Sequence, residues 1–434
     1  MTSATPEHDL LAAGQGMYRL MVELYPLCRS ITGEGLRATL RRLAQEIPLT
    51  IHEVATGTPV LDWTVPKEWN IHDAFIAEAS GQRIVDFRDH NLHVVNYSAP
   101  VRERMSLADL RPHLHSLAEH PDWIPYRTSY YHATWGFCLS HHQLQTLRDG
   151  KYDVVIDSTL TDGYLSYGEC VLTGESDDEV LVSTHCCHPS MANDNLSGIV
   201  VAQALARFFL NRPHRYTYRF LFVPGTIGAI TWLARNEASL SRIKHGLVLA
   251  GVGDAGGLTY KRSRRGDAEI DRAAAHVLKC SGELHTLRDF APHGYDERQY
   301  CSPGFNLPVG NLSRTPFGQY PQYHTSADNL EFVTPKALAD SWHKCRSIFD
   351  LLERNYRFRN LYPRGEPQLG RRGLYDSVGG QSDAKALQLA LLWVLNYSDG
   401  EHTLLDIAER ADLPFEVIER AVSALLDAKL LGKA

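Results

Sequence analysis

The sequence predicts an α/β protein: a mostly parallel sheet flanked by helices, with an inserted β-rich module and a winged-helix-like module at its C-terminal end. Three observations predict it. From Tyr152 onward, short apolar β-branched runs alternate with helical stretches, and most runs end in a polar, Gly- or Pro-containing loop. Between residues 60 and 152 the chain is instead dense in aromatics, His and Pro. Its last fifty or so residues read as three helices. These changes assign 1–59 and 153–360 to the α/β domain, 60–152 to the insertion, 361–383 to a linker and 384–434 to the C-terminal module. At 434 residues the chain exceeds one ordinary core.

In order, Gly16–Leu27 spaces Met17, Leu20, Met21 and Leu24 helically, Leu36–Ile47 reads as a second helix and Leu49–Val54 as a strand. The insertion follows, with Trp63, Trp69, Trp123, Trp135 and the Tyr130–Tyr131 pair. Its alternating runs Arg83–Phe87 and His93–Tyr97 are bounded by turn residues, which favours β structure. Its aromatics are expected mainly to form the core of that unit, with lining a substrate groove as the alternative. Strands then follow at Tyr152–Ser158, Gly168–Thr173, Val180–Thr184, Arg219–Val223 and Gly246–Val252. Helices are expected at Ile199–Leu210, Ala229–Asn236 and Ile270–Lys279.

Composition narrows the function classes. A net charge of −7 argues against a nucleic-acid surface over the whole protein. No apolar run approaches the length of a membrane span. The N-terminal segment has acidic residues and no basic region of the secretory type. The eight Cys are scattered apart from Cys186–Cys187, so a reducing cytoplasm is the expected setting.

The chemistry concentrates in Glu179–Val201. At the end of a strand buried on both faces come His185, Cys186, Cys187 and His188, then Asp194 between Asn193 and Asn195. The carboxyl ends of sheet strands are where open α/β proteins place ligands, and imidazole, thiol and carboxylate are zinc donors. A structural role for the same residues, hydrogen-bonded His and core Cys, is the competing reading. Downstream, YHTSADNLEFV places His324 and Asp328 in a loop before another helix.

Together, Asp194-Asn195-Leu196-Ser197-Gly198 and His324-Thr325-Ser326-Ala327-Asp328 resemble the metal-binding segments of M28-type zinc aminopeptidases. The segments LDWTVPKEWNI, NLHVVNYS, IPYRTSYY and WGFCL resemble a module paired with such domains in bacterial proteins, so the resemblance covers most of the chain. It implies a zinc aminopeptidase-like fold and about one zinc per chain, held by His188, Asp194 and His324. His185 is the alternative ligand, or the group that orients the first. It also places Asp254 where the family carries a metal-binding or amine-orienting carboxylate. Asp296-Glu297-Arg298-Gln299-Tyr300 stands at a further site segment, with Asp296, Arg298 and Tyr300 as substrate-binding candidates. One departure matters. Where M28 hydrolases carry two adjacent Glu, this chain reads Pro224-Gly225-Thr226-Ile227-Gly228. Thr226 removes a second-metal ligand and Gly225 removes the general base, leaving Glu297 or Asp254 as substitutes.

The expected function is therefore a zinc-dependent hydrolase of a small amino-acid or peptide-like conjugate, impaired at Gly225. The alternatives are acyl transfer or amide formation on the same site, or a binding or regulatory protein using the winged helix. Leu361–Gly380 is Pro/Gly-rich and polar. Ala384–Asn396, Leu404–Ala411 and Pro414–Lys429 then give the helix-turn-helix layout. From Ala384 to Ala434 there are five Lys/Arg against eight Asp/Glu, the wrong sign for phosphate contact. Protein contact or homo-oligomerisation is expected of this module, not nucleic-acid or membrane binding.

Overall fold

The computed structural model describes residues 7–374 and 382–434. Part of the expected linker, 375–381, lies outside the described residues. The chain divides into two compact units, Met1–Asp271 with Leu284–His343, and Arg272–Glu283 with Lys344–Ala434.

The first unit is built on an eight-stranded sheet. Its strands are β1 (Thr50–Ala55), β2 (Tyr164–Leu172), β3 (Glu179–His185), β4 (Thr217–Val223), β5 (Ile243–Leu249), β6 (Leu258–Lys261), β7 (His285–Arg288) and β8 (Val309–Ser313). They lie in the order β1-β2-β4-β3-β5-β8-β6-β7. The centre, β4-β3-β5-β8, is parallel, as is β6-β7. Antiparallel pairing joins β1 to β2, β2 to β4, and β8 to β6. The sheet is thus mixed, with its parallel part where continuous apolar runs predict it. Every residue of β3 is buried, because helices cover both faces of this central strand. The helices of this part are α1 (Glu7–Leu24), α2 (Glu34–Leu43), α3 (Gly198–Leu210) and α4 (Ile227–Asn236). Those of the later part are α5 (Glu269–Ser281) and α6 (Pro335–Arg354).

The insertion forms its own four-stranded antiparallel sheet, in the order Arg83–Asp86, Glu68–Glu78, Lys151–Thr161, Val101–Ser106. Tyr152–Ser158, expected to resume the α/β domain, belongs here: it pairs with Glu68–Glu78 along its whole length. Its apolar residues Tyr152, Val154 and Ile156 pack on Ala74, Ile76 and Phe137. An apolar β-branched run fits either sheet, and pairing partners are not encoded in its composition. The aromatics divide between two roles. Trp69 is buried and its indole N–H donates to the Ser98 carbonyl at 2.8 Å. Trp63 and Tyr131 are exposed and pair at 5.4 Å.

In the second unit, α7 (Ser382–Tyr397), α8 (Leu404–Ala411) and α9 (Phe415–Asp427) follow the expected helices. A three-stranded sheet completes the unit, with Arg357–Asn360 between Asp399–Thr403 and Leu431–Lys433. The winged-helix unit therefore begins before residue 384, at a strand too short and too charged to stand out in the sequence. Leu391, Leu395, Leu404, Ile407, Ile418 and Leu425 are buried, as their spacing predicts. Val417, with the same spacing, is only half-buried, and Leu387 too is not fully buried. Thr403 caps α8 in a reciprocal capping box with Asp406.

Candidate metal centre

β3 ends at His185, and the chain crosses the carboxyl edge of the parallel sheet before entering α3. This crossing carries His188 and Asp194. The loop backbone is fixed from outside by Asp328, whose carboxylate accepts from the Asn193 and Asp194 N–H groups at 2.6 and 2.9 Å. The Ala192 N–H donates to the Asp328 carbonyl. Asn195 bonds back to β3 and β5 through Thr184 Oγ1 and the Leu249 carbonyl.

Asp194 is the hub. Its Oδ1 lies 2.8 Å from His185 Nε2. Its Oδ2 lies 3.0 Å from His324 Nε2 and 3.8 Å from His188 Nε2. The His185 and His188 rings are 4.8 Å apart, and those of His188 and His324 5.3 Å. All four residues named from the sequence thus converge. Among the described residues, donor atoms of His185, His188 and Asp194 lie within 4.8 Å of one another, close enough to share one ion. Burial opposes ionisation of Asp194, but the three imidazoles outweigh it and hold the carboxyl well below the usual range. Burial drives His188 well below its ordinary value, which favours the neutral imidazole. Burial also disfavours protonated His185, but Asp194, Asp296 and Glu297 together raise its pKa.

The carboxylates beyond the hub separate by environment. Asp254 has both oxygens occupied: Gly256 N–H and the Thr315 hydroxyl reach Oδ1, and Asn193 and the Thr315 N–H reach Oδ2. It braces the loop. Glu297 is wholly buried and paired through Oε1 with the Lys261 ammonium. Asp296 differs. It is buried, with neither oxygen hydrogen-bonded. Burial, reinforced by Glu297, pushes its pKa up to about 7 against the opposing charges of His185 and Arg298. A β-carbon built on Gly225 would stand 3.6 Å from each Asp296 oxygen and 3.1 Å from His185 Cβ. Asp296 therefore faces the position where the expected Glu is missing.

The remaining expected substrate residues fare unevenly. Arg298 is half-buried, and its Nε has no hydrogen-bond partner. Tyr300 is a core residue: it is fully buried and bonded to the Ser183 hydroxyl at 2.8 Å. At the start of a one-turn helix, Asp296 and Tyr300 point to different surroundings, a distinction that linear order does not carry.

Several residues at the site were not singled out in the sequence. Tyr126, from the insertion, packs on His188 and His324 at 5.2 and 5.1 Å. Tyr295 stacks on His185 at 5.3 Å and Tyr323 on His324 at 3.9 Å. Buried Arg29 donates to the His188 carbonyl at 2.9 Å. Only the aromatic density of the insertion hinted at such a role.

Comparison with known proteins places this geometry in context. Residues 18–355 match the family described as domain of unknown function (DUF4910), and 356–433 match a winged helix-turn-helix model. A Clostridium acetobutylicum protein is 49% identical over 418 residues, covering 96% of each chain. Its name provisionally assigns it to polysaccharide biosynthesis, with an aminopeptidase-like domain. A crystal structure from the same organism, described provisionally as a peptidase, superposes with a TM-score of 0.94 at 47% identity, covering 98% of each chain. The zinc aminopeptidase of Bacillus subtilis matches with a TM-score of 0.57 at 13% identity, over 77% of this chain and 94% of its own. The Aneurinibacillus aminopeptidase reaches 0.50 at 15% identity, over 79% and 94%. The architecture is that of the zinc aminopeptidases, with a winged helix appended. By its sequence, over most of its length, the chain belongs to the DUF4910 family.

Proposed function

We propose that the protein is a zinc-dependent amide or peptide hydrolase of aminopeptidase type, acting on a small amino-acid conjugate, with Asp296 as the proton acceptor that Gly225 does not supply. One observation carries this reading: a buried carboxylate without a hydrogen-bond partner stands 3.6 Å from the β-carbon position of Gly225, beside His185. An orphaned buried carboxylate is costly, and a neighbouring cation or a transferable proton offsets that cost. Three ligands drawn from His185, His188, Asp194 and His324 would hold a single zinc and leave a fourth position open. When bound, zinc supplies Lewis-acid polarisation of the amide carbonyl and of water.

The chain's own residues do the rest. Asp194 and the imidazoles would hold the ion, and Asp328 and Asp254 hold the Asp194 loop. Asp296 takes one proton from the attacking water as the oxygen bonds to the carbonyl carbon. It returns that proton to the nitrogen as the carbon–nitrogen bond breaks, leaving a carboxylic acid, which then ionises to solvent, and an amine. A pKa near 7 suits a group that must both take and give a proton at neutral pH. The names of its relatives support an amide-cleaving role, and one points to saccharide metabolism.

The test is amine release from a panel of aminoacyl anilides by zinc-loaded protein, with loss on chelation and recovery on adding zinc. Absence of turnover across the panel and on aminoacyl amides of sugars, at full zinc occupancy, would refute the hydrolase reading.

A further inference from the structure

Beside the histidine cluster lies a cavity of about 390 Å³, within the range of small-molecule sites. Its floor is one face of the antiparallel pair β6–β8. Thr259 stands opposite Ser313, and Lys261 opposite Asn311. Alternate residues of a strand share a face, so this face carries four polar side chains. Leu258, Tyr260, Gly310 and Leu312 take the other face. Thr259, Asn311 and Ser313 are each more than nine-tenths buried. The Thr259 and Ser313 side chains both line the cavity. Glu297 also lines the cavity, with its carboxylate buried and ion-paired with Lys261.

Hydroxyl and amide groups on a cavity wall can exchange water for the hydroxyls of a ligand, so a polar floor of this kind matches a hydroxyl-bearing group. The lining charges balance in number: Lys261 pairs with Glu297 and donates to the Ala291 and His293 carbonyls, while Arg288, bonded to the Gln319 amide, is matched by Asp289. No concentrated field calls for a phosphate or an ammonium. One wall is aromatic, with the Tyr295 and Phe317 rings 5.4 Å apart. A polar floor disfavours an aliphatic side chain, while a flat ring wall suits the C–H face of a saturated ring. Tyr295 also stacks on His185, and Glu297 follows Asp296 directly, so the cavity adjoins the reacting groups.

We infer that this cavity binds a neutral, hydroxyl-rich ring of the sugar class, as the selectivity subsite for the conjugate whose amide is cleaved at the histidine cluster. The second half of that statement rests on the hydrolase reading; the binding does not. The test is calorimetric titration of the zinc-loaded full chain with glucose, galactose, mannose, N-acetylglucosamine and N-acetylgalactosamine, against L-leucinamide and inorganic phosphate. At least one sugar is expected to saturate, and Ser313→Ala and Phe317→Ala should each weaken it about tenfold with zinc content unchanged. Failure of every sugar to saturate in the millimolar range would overturn the inference. So would L-leucinamide or phosphate binding that the two variants abolish. Sugar binding without anilide turnover would keep the subsite and remove the hydrolase reading. Anilide turnover without sugar binding would do the reverse.

Discussion

At the residue scale the question is what replaces a missing glutamate. Gly225 has no side chain, and its φ lies outside the left-handed region, so a larger residue meets no backbone penalty there. The obstacles are the close approach of its β-carbon to His185 Cβ, 3.1 Å, and electrostatics. A second carboxylate would meet Asp296, whose ionisation burial already disfavours. Asp296→Asn should lower kcat/KM for the best anilide by about 10²–10⁴-fold with zinc content unchanged, the span expected for losing a general base. Gly225→Glu alone should give less than about a tenfold gain, whereas adding it to Asp296→Asn should restore about tenfold or more. Full activity in Asp296→Asn would remove the residue from the reaction.

The same group predicts a pH effect in zinc-free protein. The folded pKa of Asp296 is raised to about 7 from an ordinary value of 3.8. Its contribution to stability is therefore fully present below about pH 4 and is lost as pH rises through 7. His188 works in the opposite direction, so the informative quantity is a difference between proteins. Relative to wild type, zinc-free Asp296→Asn should gain stability steadily between pH 4 and 7, as urea titrations would show. A flat difference would mean that Asp296 titrates normally.

At the scale of elements, the insertion is tied to the metal loop. Ile124 N–H donates to the Ser326 hydroxyl at 2.9 Å, and Ser326 N–H to the Ile124 carbonyl. Tyr126 N–H reaches the His324 carbonyl at 2.8 Å, and Pro125 bridges to Thr325. A loop from one sheet thus positions a histidine that follows another. Groups that orient metal ligands are commonly worth about 10–100-fold in affinity. Tyr126→Ala should weaken zinc binding by that order in a chelator competition, while Trp63→Ala, at an exposed aromatic pair, should leave it unchanged. Equal effects of the two would indicate general destabilisation instead of a local tie.

At the scale of the molecule, the winged-helix unit shares continuous helices with the rest of the chain, since α5 and α6 each run across the boundary between units. Within that unit Arg354 pairs with Glu419 at 2.5 Å, and Asn355 and Tyr356 accept from the Leu405 and Leu404 N–H groups. His276 accepts from Phe415 N–H, and Arg272 pairs with Asp406 and Glu409. Removing residues 384–434 strips all of these partners. The truncated chain should melt several degrees lower, yet bind about one zinc per chain at saturating metal. Loss of the zinc site itself would show that folding of the α/β part depends on the C-terminal unit.

The sequence by itself determined the apolar central strands, the helical periods, the aromatic insertion and the group His185, His188, Asp194 and His324. Each of these is written in local pattern, either periodicity or short motifs at strand ends. It also exposed the absence of a carboxylate at Gly225. It did not decide which carboxylate faces that position. Asp254, Asp296 and Glu297 read alike along the chain, and only folding gives one four donors, one a lysine and one no hydrogen-bond partner. Nor did it decide that Tyr152–Ser158 joins the insertion sheet, that Arg357–Asn360 opens the winged helix, or that Tyr126 touches His188 and His324. Those outcomes depend on which strand edges and loops meet across long sequence distances, and pairing of that kind is set by the packed whole.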